Sequence, residues 1–351
     1  MRSKIIKRAA FGLAAVFTLA ACGSSDSATD TTEAAPVATD APAPAGLACQ
    51  VTDTGGVDDK GFNQIAYEGL LQAETQLGVA IDLLESTSDA DYAPNLQSFI
   101  DKGCNVIVTV GFLLADATKA AAEANPTVAF AIVDSNTSAP NVEGLTFSTD
   151  QPSFMAGYMA AATTKTGVVA TYGGINIPPV AIFMQGFAKG VEYFNAQKGG
   201  KVKVLGWDVA KQDGTFGGGF SDLSVGASIA KGFADEGADI IFPVAGPMGL
   251  GSAQFAMDSG GKVKIVGVDV DMSVSNSAQA EVYVASVLKK IDAAVLAAVG
   301  SALKGEGGGT DYVGTLANGG VGLAVTSTIT PELQAELDAI QAGIIDGSIT
   351  W

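Results

Sequence analysis

The residues able to do chemistry in this chain are mainly acids, and they recur at one kind of place. Short apolar runs end in aspartate at Asp53 (after QVT), Asp134 (after FAIV), Asp208 (after VLGW) and Asp269 with Asp271 (after KIVGV). An aspartate after such a run either caps the helix that follows or offers a ligand a hydrogen-bond acceptor. Repetition of the position from run to run favours a polar, hydroxyl-rich ligand. The densest motif is TDTGGVDDKGFNQ, residues 52–64. Within it Asp59 and Asn63 stand four apart, on one face of a helix that opens here and close to its positive end, where they suit either a capping role or the edge of a ligand.

Other chemistry is excluded by what the composition lacks. The chain contains no histidine, which removes Ser-His-Asp and Cys-His catalysis and the usual zinc ligand sets. Of its cysteines, Cys49 and Cys104 each precede a strand-like run (QVTDT and NVIVTV) of the kind that lie side by side in a parallel sheet. They are read either as a disulfide formed after export or as two buried thiols. The aspartates of DTGGVDD are too few for a calcium cage. The stretch Gly249-Leu250-Gly251-Ser252-Ala253-Gln254 fails as a dinucleotide fingerprint, because Gln254 occupies the third glycine position. The expectation is therefore no catalytic residue, no cofactor and no metal. A net charge of −18, with no basic run in the body of the chain, argues against nucleic acid.

The elements that must position these residues follow an export signal. Residues 1–22 combine a basic start (Arg2, Lys4, Lys7, Arg8), an apolar run of about a dozen residues, too short to span a bilayer, and Leu19-Ala20-Ala21-Cys22. This fits a lipoprotein signal in which Cys22 is acylated. Residues 23–46 are almost entirely Ser, Thr, Ala, Pro, Asp, Glu and Gly, a composition that buries no core and reads as a disordered linker. Beyond it, apolar strands alternate with amphipathic helices, the pattern of parallel sheets covered on both faces. The fold class expected is α/β, with two doubly wound lobes. Lobe 1 is expected to comprise 47–150 with 283–312, and lobe 2 to comprise 151–282 with 313–351. A helix over Pro331–Ile345 should pack back on a lobe.

The motif at 52–64 resembles the signature of the basic membrane protein family of lipoproteins, the purine nucleoside-binding components of ABC importers. The resemblance continues through NVEGLTFSTDQPSFMAGYMAAA (141–162), Gly186-Phe187 with Gly190, GADIIF (237–242), residues 245–251, VGVD (266–269) and ASVLK (285–289). It implies a type I periplasmic-binding-protein fold closing on inosine, adenosine or guanosine. It also implies a monomer held by a lipid on the outer face of the cell membrane, with a permease and an ATPase as partners. By this resemblance Phe62 and Phe220 face the base, Asp59 and Asn63 read its edge, and Asp53, Asp134 and Gly246 line the site. Asp269 takes the ribose hydroxyls, with Lys289 balancing its charge. Pro247 departs from the glycine run common in the family and removes a backbone donor. A sensor of the same fold for a sugar or signalling molecule, and an exported nucleoside hydrolase, remain alternatives.

Overall fold

The computed structural model describes residues 45–351. The signal segment, Cys22 and the linker up to residue 44 lie outside the described residues. The chain alternates β1 (Leu47–Thr52), α1 (Phe62–Leu77), β2 (Ala80–Leu84), α2 (Tyr92–Lys102), β3 (Val106–Val110), α3 (Ala115–Ala124), β4 (Ala129–Val133) and β5 (Val142–Phe147). A second series follows: α4 (Asp150–Thr163), β6 (Val168–Gly173), α5 (Pro178–Lys198), β7 (Lys203–Leu205), the hairpin β8 (Trp207–Asp208) and β9 (Asp213–Gly214), α6 (Leu223–Asp235), β10 (Ile240–Val244), α7 (Met248–Asp258), β11 (Lys264–Asp269), α8 (Met272–Ser275) and β12 (Tyr283–Lys289). The chain ends with α9 (Ile291–Leu303), β13 (Asp311–Gly314), β14 (Val321–Val325) and α10 (Pro331–Ile345).

These elements make two six-stranded sheets of matching order, β13-β5-β4-β3-β1-β2 and β14-β12-β11-β10-β6-β7. The central strands β3 (VIVTV) and β10 (IIFPV) are buried along their whole length, as strands covered by helices on both faces must be. Matching order makes β4 and β11 counterparts, so the residues that follow them, Asp134 and Asp269, occupy equivalent positions in the two lobes.

The lobe boundaries differ from those read off the sequence. Strand β12 pairs with β11 in the second sheet, so residues 283–289 belong to lobe 2 and not to lobe 1. The chain returns to lobe 1 only at Lys290, where α9 turns its buried face (Ile291, Ala294, Val295, Ala298) toward α1. The approach is close: a Cβ on Gly69 would stand 2.6 Å from the Asp292 carbonyl oxygen. The last crossover follows β13, which pairs with β5, and precedes β14, which runs antiparallel to β12. It therefore falls at 315–320 rather than after 312. Sequence periodicity marks elements but not partners, and both corrections concern partner choice. Helix α10 packs on α4.

Several motif glycines serve packing. A Cβ at Gly157 would lie 2.0 Å from the Phe187 carbonyl oxygen and one at Gly190 1.9 Å from that of Phe154, so α4 and α5 touch backbone to backbone. Gly251 plays the same part between α7 and α6, against the Leu223 carbonyl oxygen at 1.9 Å. The second glycine of GLGSAQ is thus accounted for by helix contact. Cys49 and Cys104 are joined by a disulfide with their Cα atoms 6.1 Å apart, tying β1 to the approach of β3. Closing a 55-residue separation stabilises the fold by about 4 kcal/mol in the chain-entropy model.

Candidate ligand-binding site

The carboxyl ends of the two sheets face one cleft, of about 630 Å³ when space open to solvent is counted. Asp53, Asp59, Phe62, Asn63, Asp134, Phe220, Gly246, Asp269 and Lys289 all line it. Asp208 does not. Gly206, at φ 84°, breaks the strand before it, and Asp208 sits on the β8–β9 hairpin, paired with Lys211. Asp271 caps α8, accepting from the Ser273 amide.

On the lobe 1 wall, Asp53 follows β1 and its Oδ1 accepts from Asn63 Nδ2 at 3.0 Å. Gly111 makes room for it, since a Cβ there would stand 2.6 Å from Asp53 Oδ2. Asp59 accepts from the backbone N–H groups of Gly61, Asn63 and Gln64 and so anchors the start of α1. Both its oxygens are engaged this way, which makes capping its visible role beside its place in the cleft wall. The anchored turn presents Phe62 and Asn63 to the cleft.

Asp134 and Asp269 both take left-handed backbone conformations, at φ 68° and 66°. Few residues other than glycine do so, and aspartate is among the more tolerant. Held this way, the two acids converge on Lys289 at the end of β12. Lys289 Nζ donates to Asp134 Oδ2 at 2.6 Å and lies 3.9 Å from Asp269 Oδ1. It is 2% exposed, and the rings of Phe62, Phe147 and Phe183 stand 4.9, 5.4 and 5.5 Å from it. Because Asp134 belongs to lobe 1 and Lys289 to lobe 2, this ion pair bridges the lobes at their back. At the rim the bridge is Ser275 Oγ, which donates to the Lys60 carbonyl oxygen.

Phe220 comes from the glycine-rich loop before α6. Its ring lies so close to Gly174 that a Cβ there would stand 2.3 Å from it, and its carbonyl accepts from the Met248 amide at 2.6 Å. Pro247 directly precedes α7, where its missing N–H costs no helical hydrogen bond. Sequence reasoning passed over Phe112, Ile177, Val180 and Phe183, which complete the apolar lining. Phe112 and Ile177 lie in the segments after β3 and β6, where attention to apolar strand ends would have found them, whereas Val180 and Phe183 lie on α5.

Burial dominates the electrostatics. It pushes Asp53 up to about 7, against the hydrogen bond from Asn63, with Asp59 and Asp134 adding to the rise and Lys289 opposing it. It pushes Asp269 up to about 6, against Lys289 and with Asp134 and Asp59 adding. Burial also raises Asp134 and Asp59. The folded protein therefore keeps protons that the unfolded chain has released, and its stability falls as pH rises from about 4 to about 7. Asn at position 53 can still accept from Asn63 but cannot ionise. Between pH 5 and 7.5, urea unfolding of Asp53→Asn should show a stability loss smaller than that of the parent by about 1–3 kcal/mol. Equal losses would clear Asp53 as the source.

Comparison with known proteins accords with this geometry. The family described as "ABC transporter substrate-binding protein PnrA-like" matches residues 47–350. "ABC transporter nucleoside-binding protein BmpA" of Lactococcus lactis subsp. cremoris is 31% identical, covering 100% of this chain and 99% of its own length. "Basic membrane protein A" of Borreliella afzelii is 30% identical over 84% of this chain and 88% of its own. Among solved structures, a solute-binding protein of an ABC transporter system from Aeropyrum pernix K1 superposes with a TM-score of 0.75 at 23% identity, over 87% of this chain and 92% of that one, a likeness of fold. The chain is an ABC transporter substrate-binding protein of the type I periplasmic-binding fold, and it belongs to the basic membrane protein family.

Proposed function

We propose that this protein captures a purine nucleoside in the cleft between its lobes and delivers it to an ABC permease and its ATPase. In this reading it works as a monomer, anchored to the outer face of the cell membrane by lipid on Cys22, and catalyses nothing. The observation that carries the ligand reading is the composition of the cleft. Aromatic rings suit a flat base, and Asp269 beside Lys289 suits a pair of vicinal hydroxyls. The similarity to the Lactococcus relative, named a nucleoside-binding protein, supports it.

Phe220 and Phe62 stack on the base, Asn63 and Asp53 read its edge, and Asp59 holds the turn that carries Phe62 and Asn63. Gly246, at φ 52°, keeps the loop beside Phe220 free of a side chain. Calorimetric titration of the soluble form beginning near Gly46 with purine nucleosides, pyrimidine nucleosides, free bases and simple sugars tests the assignment. Inosine, adenosine or guanosine should bind best. Phe220→Ala should weaken that binding about five- to a hundredfold, the worth of one stacked face, while the fold persists. Preference for a sugar would overturn the nucleoside reading, and unchanged affinity in Phe220→Ala would remove the ring from the contact.

A further inference from the structure

A second chamber of about 700 Å³, again counting space open to solvent, lies beside the first between the two lobes. The two share Phe112, Asp134, Pro179 and Lys289 as a common wall. Beyond that wall the chamber is lined from lobe 1 by Ser135, Asn136, Thr146 and Thr149, and from lobe 2 by Pro178 and Ile182. Its polar groups are hydroxyls and an amide, and the Thr149 hydroxyl is buried with no hydrogen-bond partner. The charged groups on the shared wall, Asp134 and Lys289, already satisfy one another at 2.6 Å.

We infer that this chamber accepts a neutral substituent on the sugar of the bound nucleoside, so that the ligand class extends to 5′-substituted nucleosides. The inference rests on the nucleoside reading above, and the position of the chamber supplies its direction. Of the two spaces, the base-facing groups Asp53, Asn63 and Phe220 and the ribose acid Asp269 line only the first cleft, whereas Lys289, beside Asp269, faces both; with the 2′ and 3′ hydroxyls held at Asp269, the 5′ position is the sugar substituent left to project. A group projecting from the sugar past Lys289 enters the second chamber, while one projecting from the base does not. Neutrality follows from charge. The charged groups that line the chamber, Asp134 and Lys289, are already paired with one another and its other polar lining is neutral, so a 5′-phosphate would find no free cation there.

The test measures affinities of the soluble form for adenosine, 5′-deoxy-5′-methylthioadenosine and adenosine 5′-monophosphate. A second protein, Asn136→Trp, carries an indole in the chamber from an exposed loop position. The parent should bind adenosine and the methylthio compound within about threefold of each other and the monophosphate at least about tenfold more weakly. Asn136→Trp should keep its adenosine affinity, which also certifies its fold, and lose the methylthio compound by about tenfold or more. Adenosine binding with exclusion of the methylthio compound by the parent would overturn the inference and leave the nucleoside reading intact. Equal affinity of Asn136→Trp for both compounds would also overturn it, since the substituent would then lie elsewhere. Failure of the parent to bind adenosine or any other nucleoside would take down both readings together.

Discussion

Replacing Lys289 by methionine is expected to cost the ligand-free protein about 3–5 kcal/mol at pH 7.5, the usual effect of removing one partner from a buried ion pair. Methionine preserves most of the apolar stem while removing the ammonium, which stands over the rings of Phe62, Phe147 and Phe183, so the loss reports the charge more than the volume. What remains is Asp134, whose side chain is 10% exposed, facing Asp269 at 9% with no cation between them. Burial already raises Asp134 above the ordinary carboxylate range, with Lys289 as the opposing influence. Without Lys289 it holds a proton to still higher pH. The folded variant then binds more protons than the unfolded chain, and its stability declines as pH rises. The deficit relative to the parent should accordingly be smallest near pH 5 and largest near pH 7.5, measured by urea unfolding. A deficit independent of pH would mean that packing, not charge, is the role of Lys289. Ligand affinity should fall by about a hundredfold or more, because the pair also joins the lobes at the back of the cleft.

Much of this architecture is legible in the sequence because it rests on local physics. Strand β3 and strand β10 announce themselves as unbroken apolar runs, and the motif at 52–64 joins a strand end to a helix start through glycines. Asp53, Asp134 and Asp269 were identifiable because a polar residue closing an apolar run is conspicuous. The assignment of β12 and β13 to lobes was not legible, since a strand reads the same whichever sheet it joins, and only tertiary pairing decides. Asp208 looked like its fellows and is not, because the break at Gly206 turns the chain into a hairpin. Phe183 was hidden by the opposite ambiguity: on α5 it has the periodicity of a core residue, and it does belong to the core of lobe 2, yet it also lines the cleft.

The crossovers give the cleft its mechanics. The chain passes between lobes near Thr149, at Lys290 and over 315–320, and one of these points adjoins a cleft residue. That residue is Lys289, so its contacts with Asp134 depend on the angle between the lobes. A ligand that engages both walls favours the closed arrangement by its differential contacts with the two states, the only means by which it can shift such an equilibrium. Opening separates Lys289 from Asp134 as well as Ser275 from Lys60, and exposes the raised carboxylates to water. On the reading proposed above, the groups that recognise the ligand therefore also set how far the empty protein stays closed.

Asp269→Gly should lose about a hundredfold in ribonucleoside affinity and nearly all preference for ribose over 2′-deoxyribose. Two carboxylates stand near Lys289, but they are not equivalent. Asp134 takes the hydrogen bond from Nζ at 2.6 Å, whereas Asp269 Oδ1 is 3.9 Å away, beyond hydrogen-bond reach. Asp269 thus keeps its acceptor capacity for a ligand, and a carboxylate can receive two vicinal hydroxyls at once. Loss of one of those hydroxyls leaves a buried charged acceptor unpaired, at about 1–3 kcal/mol, so the parent should prefer ribonucleosides over their 2′-deoxy forms by about five- to a hundredfold. Glycine is the informative substitution because position 269 sits at φ 66°, where a Cβ is strained and glycine is at ease. The variant then removes the carboxylate without adding backbone strain, and it also relieves a buried acid raised to about 6. Its unfolding stability at pH 7.5 should equal or exceed that of the parent while its affinity collapses, a combination that a merely structural aspartate would not produce. Retained discrimination between inosine and 2′-deoxyinosine in Asp269→Gly would transfer the ribose contact to Asp134 and require Lys289 to part from it on binding.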